Sequence, residues 1–132
     1  MMKIGFDFHG VLDLEDNKFR EKARVLVCMG HEVHILTGSS HGRFLVESKD
    51  LLTEGVHYTK FFSICDYLIE KGIKNIGTLD RPMFDPEVWN SAKGEYAFYT
   101  KLNEHYDDCE IYGKSFPESC DFILIQDGKI VY

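Results

Sequence analysis

Ile4-Gly5-Phe6-Asp7-Phe8-His9-Gly10-Val11-Leu12-Asp13 opens with a short apolar run that meets an aspartate and, three residues later, a glycine. Residues 3–6 are bounded by Asp7 and Gly10, which reads as a buried strand ending at a polar loop. Asp7 therefore stands at the carboxyl end of a strand. Downstream, Phe19, Ala23, Leu26 and Val27 recur at helical spacing over residues 16–29, with Asp16 or Asn17 as N-cap and Gly30 as the stop. Val33-His34-Ile35-Leu36 predicts a second strand, broken by Thr37-Gly38-Ser39-Ser40. A strand, a helix of that length and a strand imply a parallel pair.

The same reading extends to the end of the chain. Residues 43–52 predict a helix, 60–63 a short strand, and 64–71 another helix stopped by Gly72. Residues 73–89 hold Gly77, Pro82 and Pro86 without a sustained period, which predicts a loop or a small hairpin insertion, too short for a full cap domain. Asn90 or Ser91 caps a helix carrying Ala92, Tyr96 and Tyr99. A strand over 102–106 then ends at Asp107-Asp108, and residues 122–125 lead through Asp127-Gly128 into Ile130-Val131. The expected fold is α/β: a three-layer, Rossmann-like open sheet, mainly parallel, with helices on both faces and ligands at the carboxyl ends of its strands.

The chain has 132 residues, and 44% of them are apolar, enough for one core, so a single domain over 1–132 is expected. The formal net charge of −7 argues against a nonspecific binder of nucleic acid polymers, which concentrates Lys and Arg on one face. The first residues carry one lysine and reach Asp7 before an apolar signal region develops, and no apolar window is long enough to span a bilayer, so a cytoplasmic protein without membrane contact is expected. Cys28, Cys65, Cys109 and Cys120 lack the close pairing of zinc sites.

Three strand ends bring reactive groups to one edge of the sheet: Asp7 with His9, Thr37 with Gly38, and Asp107 with Asp108. Lys93, placed near the start of the helix that runs into the Asp107 strand, reaches the same edge. Phosphoryl transfer needs a carboxylate nucleophile, a metal held by other carboxylates, and cationic or hydrogen-bonding groups for the equatorial oxygens. An acidic protein handling phosphate also needs a cation to offset repulsion.

In this order the four motifs resemble those of the haloacid dehalogenase-like hydrolases. The segment 4–13 is similar to the family's first motif, His34-Ile35-Leu36-Thr37-Gly38 to the second, Lys93 to the third, and His105-Tyr106-Asp107-Asp108-Cys109 to the fourth. The resemblance implies that Asp7 is the nucleophile and that Thr37, Gly38, Ser39 and Lys93 hold the phosphate. It also implies that Asp7, the backbone carbonyl of His9, Asp107 and Asp108 hold Mg²⁺. It implies a small phosphorylated substrate, and the related deoxyribonucleotidase group makes a nucleoside monophosphate the first candidate.

One position departs from the family. The second aspartate of the first motif, which protonates the leaving oxygen, is His9 here. Imidazole, with a reference pKa of about 6.5, can exchange protons near neutral pH. The alternative is a phosphate- or nucleotide-binding module on the same fold that has lost turnover. A signalling receiver uses similar residues, but there the acidic pair comes early and the phosphorylated aspartate later, the reverse of the order here. The strand-end carboxylates are expected to be exposed, so that Asp107→Asn spares the fold. His31, His34, His41, His57 and His105 are assigned to no metal; His41 is a weak candidate for substrate contact, and Trp89, Phe84 and Tyr58 for a pocket wall.

Overall fold

The computed structural model describes residues 1–78 and 80–131. Its elements in chain order are β1 (Lys3–Phe6), α1 (Lys18–Cys28), β2 (Glu32–Thr37), α2 (His41–Glu47), β3 (Lys60–Ser63), α3 (Ile64–Glu70), α4 (Pro86–Thr100), β4 (Glu104–Asp107), β5 (Asp121–Gln126) and β6 (Lys129–Ile130). A kinked helical turn at Phe8–Leu12 and a 3-10 turn at Glu110–Ser115 complete them. The strands form one sheet in the order β3-β2-β1-β4-β5-β6, parallel from β3 to β5 and antiparallel only at β6. The α/β, mainly parallel open sheet expected from the sequence is therefore the observed fold. No helix of the described residues is long and apolar enough to cross a membrane.

Alternation along the central strands sends side chains into two cores. Ile4 and Phe6 of β1 and Val33 and Ile35 of β2 pack with Phe19, Ala23 and Phe44 from α1 and α2 on one face. Leu36 packs with Ile64, Leu68, Ala92 and Ala97 from α3 and α4 on the other. Helices thus cover both faces, which is why these strands read as continuous apolar runs. β1 lies between β2 and β4, with Gly5 opposite both His34 and His105. That register fixes the site: the Asp7 N–H donates to the Tyr106 carbonyl at 2.8 Å, setting Asp7 level with Asp107.

Three boundaries differ from expectation. The helix predicted over 43–52 runs only His41–Glu47; its Ser40 N-cap accepts from the Arg43 N–H, and Ser48 ends it in turns that bring Leu52 into the core. The helix predicted from Asn90 or Ser91 begins at Pro86, because Asp85 caps it through bonds from Glu87 and Val88 and proline takes the first turn, where its missing N–H costs nothing. Residues 86–89 are therefore helix rather than loop, and Lys93 sits two turns inside it. The fourth parallel strand begins at Glu104, two residues later than predicted, and includes Asp107. Between α3 and α4 the Ile76 N–H donates to the Met83 carbonyl, and Asn75 Oδ1 accepts from the Gly77 and Met83 N–H groups.

Candidate active site

A cavity of about 730 Å³ opens at the carboxyl ends of the central strands. Its walls include Asp7 and His9 after β1, Gly38 and Ser39 after β2, Cys65 in α3, Asp108 and Cys109 after β4, and Trp89 and Lys93 from α4. Asp7 and Asp108 line the cavity and Asp107 is fully buried behind them, with carboxylate oxygens of the three within 4.8 Å of one another. Lys93 Nζ, 1% exposed, donates to Asp7 Oδ1 at 3.1 Å and to Asp107 Oδ2 at 2.6 Å. Lys93 also stands over the Tyr112 ring, 4.7 Å from its centroid. Gly10 makes the approach of the third carboxylate possible: its φ is +84°, and a Cβ there would collide with the Asp108 carboxylate.

The charges do not balance. Burial pushes the Asp7 carboxyl well above the usual carboxylate range; Lys93 opposes this, while the negative charges of Asp107 and Asp108 add to it. Burial also pushes Asp107 up, but there the Lys93 ammonium and the His105 hydrogen bond win and hold the carboxyl well below that range. Lys93 is fully buried, yet its two carboxylates outweigh desolvation and keep it charged, above its ordinary value. Lys93 pairs with two carboxylates and a third, Asp108, lies beside them, so the cluster holds more carboxyl groups than ammonium groups.

The other predicted residues divide. Gly38 and Ser39 line the cavity, with the Trp89 indole packed over Gly38. Thr37 is fully buried, lies outside the cavity wall, and accepts from the Ser39 N–H at 3.3 Å, so its hydroxyl props the loop. The His9 side chain, 48% exposed, meets Glu47 through Nε2 at 3.2 Å. His41 is turned against Phe61, in a separate groove. Trp89 lines the cavity, stacked on Phe84 and donating through Nε1 to the Tyr112 hydroxyl at 3.0 Å, whereas Tyr58 packs in the core against Phe44.

No family model, curated protein or solved structure matches this chain. The chemistry of the site therefore rests on its own donors. Hard carboxylate oxygens, gathered where positive charge is lacking, fit Mg²⁺ better than zinc, and Asp7, Asp107 and Asp108 are the residues that would hold it.

Three features of the site are not legible in the sequence alone. Asp107 is fully buried rather than exposed, bound to Lys93, to the Cys109 N–H at 3.0 Å and to His105 at 2.8 Å, which removes the exposure on which the expectation for Asp107→Asn rests. The contact of His105 with Asp107 is a second, although a strand places residues 105 and 107 on one face. Glu47 contacts His9 across 38 positions of sequence, and no local signal marks it.

Proposed function

We propose that this chain is a magnesium-dependent phosphohydrolase that cleaves a phosphate monoester through an aspartyl-phosphate at Asp7, as its resemblance to the haloacid dehalogenase-like hydrolases implies. The observation that carries the reading is the convergence of Asp7, Lys93, Asp107 and Asp108 into one cluster at the cavity, from two adjacent strand ends and a helix, with Lys93 and Asp7 86 positions apart. A structural ion pair needs one carboxylate; Lys93 has two, with a third beside them, at the end of a parallel sheet where ligands bind.

In this reading an Asp7 oxygen attacks phosphorus while the bond from phosphorus to the ester oxygen breaks. His9, on the same cavity wall, gives the departing oxygen its proton. Water then attacks phosphorus and frees Asp7 as a carboxylate, with His9 taking the proton. Lys93 Nζ, beside Asp7, meets the equatorial oxygens of the phosphoryl group, joined by the Gly38 and Ser39 backbone. Bound Mg²⁺ supplies the positive charge that lets an anionic nucleophile and an anionic phosphate share the site. The cavity volume suits a small-molecule ester, and a nucleoside monophosphate is the first substrate to try.

A second reading has one observation in its favour. His9, in the proton donor's position, already meets Glu47 through Nε2, which fits a phosphate-binding module without turnover. Hydrolysis of p-nitrophenyl phosphate with and without Mg²⁺ separates the two. Magnesium-dependent release of nitrophenol, lost in Asp7→Asn, supports the enzyme; phosphate binding without release supports the module.

A further inference from the structure

His105 is fully buried, and the proposed chemistry leaves it unused. Its ring lies nearly parallel to Phe116, 13° off with centroids 5.1 Å apart, and is flanked by Phe122 at 5.9 Å. Nε2 meets Asp107 Oδ2 at 2.8 Å. Nδ1 makes no well-formed hydrogen bond; its polar neighbour is the Gly5 backbone, whose contact opposes the lowering of the ring's pKa by burial. It faces the backbone of Gly5, where a Cβ would lie 2.6 Å away, so β1 carries glycine at the point where the imidazole needs room.

An ionised carboxylate can only accept, so the bond to Asp107 requires a proton on Nε2, and in the neutral ring that burial favours Nδ1 is then bare. A bare buried acceptor is a cost, and a phenyl ring would fill the same aromatic slot without it. What histidine contributes there is its N–H. Asp107 already receives Lys93 at Oδ2 and the Cys109 N–H at Oδ1, and the imidazole donor adds the bond that fixes the rotation of its carboxylate.

We propose that His105 is a positioning residue: its Nε2–H holds the Asp107 carboxylate in the orientation in which it joins Asp7 and Asp108 as a cation-binding group. The inference rests on the phosphohydrolase reading for the identity of the cation, and on geometry alone for the hydrogen bond.

The test compares His105→Phe, which keeps the ring and removes the donor, with His105→Gln, whose amide can place an N–H where Nε2 stood. Mg²⁺ binding is measured by calorimetry without substrate. His105→Phe should remain folded, as a cooperative thermal transition shows, yet bind Mg²⁺ about 10- to 100-fold more weakly, while His105→Gln stays within about threefold. Wild-type affinity in His105→Phe, or equal losses in both variants, overturns the proposal. Independently, the ¹⁵N spectrum of the metal-free protein, with the His105 signals assigned by their loss in His105→Gln, should show a neutral ring protonated on Nε2. A proton on Nδ1 overturns the hydrogen bond itself. Wild-type protein that binds no Mg²⁺ would count against the phosphohydrolase reading, and the role of His105 toward Asp107 would then be decided by the ¹⁵N result.

Discussion

Replacing Lys93 with methionine keeps most of the side chain's length and removes its charge. Lys93 is buried between Asp7 and Asp107, themselves 7% and 0% exposed, so the variant leaves two carboxyl groups facing each other without their cation. Removing one partner of a buried pair costs about 3–5 kcal/mol. Asp7, whose pKa burial already raises, can take a proton and relieve part of that, so the lower end, about 3 kcal/mol, applies. For a chain of this size the melting temperature should fall by roughly 10 °C. The sign of the pH effect follows from linkage. A carboxyl raised in the folded state binds more protons there than in the unfolded chain, so the variant loses stability as pH rises and recovers as pH falls. Urea unfolding at about pH 5 and about pH 8 reads this directly. Millimolar Mg²⁺ should stabilise Lys93→Met more than wild type, because it restores charge to a site that has lost its ammonium. A cost under about 1 kcal/mol, or a cost independent of pH, would refute the view that this lysine neutralises a crowded acidic site.

Asp107→Asn should lower stability by about 2 kcal/mol or more, since it weakens bonds to Lys93 and His105 inside the core; a wild-type thermal midpoint would contradict the assigned burial. His34 is buried with its Nδ1 against the Tyr96 hydroxyl at 2.7 Å and Nε2 against Glu32 at 2.9 Å, and burial holds its pKa below the ordinary value while pushing the Tyr96 phenol up to about 12. A histidine with a depressed folded pKa favours unfolding once the unfolded chain protonates, so stability should fall as pH drops below about 6.5, and His34→Gln should flatten that slope in urea titrations. An unchanged slope would mean that His34 is not its source. His9→Ala should slow alkyl phosphates by about 10²- to 10⁴-fold and aryl phosphates much less, as removal of a general acid requires. Equal losses on both esters would instead indicate damage to the metal site or phosphate pocket, and near-normal rates on both would leave His9 only its backbone carbonyl.

What the sequence disclosed and what it hid have physical causes. β1 and β2 are legible because strands covered by helices carry apolar residues on both faces, and Asp7 stands out as the charge that ends the run of Ile4 to Phe6. The start of α4 is hard to read because Pro86 looks like a breaker, although Asp85 before it makes the pair a helix start. Burial of Asp107 is hidden because a strand-end aspartate is usually exposed. Only the fold shows that α4 lays Lys93 over it and that β1 leaves room at Gly5 for His105 behind it. The Glu47 contact depends on how α2 sits over the kinked turn after β1, a tertiary fact without a local pattern.

The central claim is that Asp7 becomes phosphorylated. Protein turning over an aryl phosphate with Mg²⁺ can be quenched in acid and treated with borohydride, which reduces an aspartyl-phosphate to homoserine while leaving free aspartate intact. Peptide mass spectrometry should find homoserine at position 7, dependent on both substrate and Mg²⁺ and absent in Asp7→Asn. Turnover that proceeds with no reduced residue, or with the mark on a different aspartate, would contradict the account.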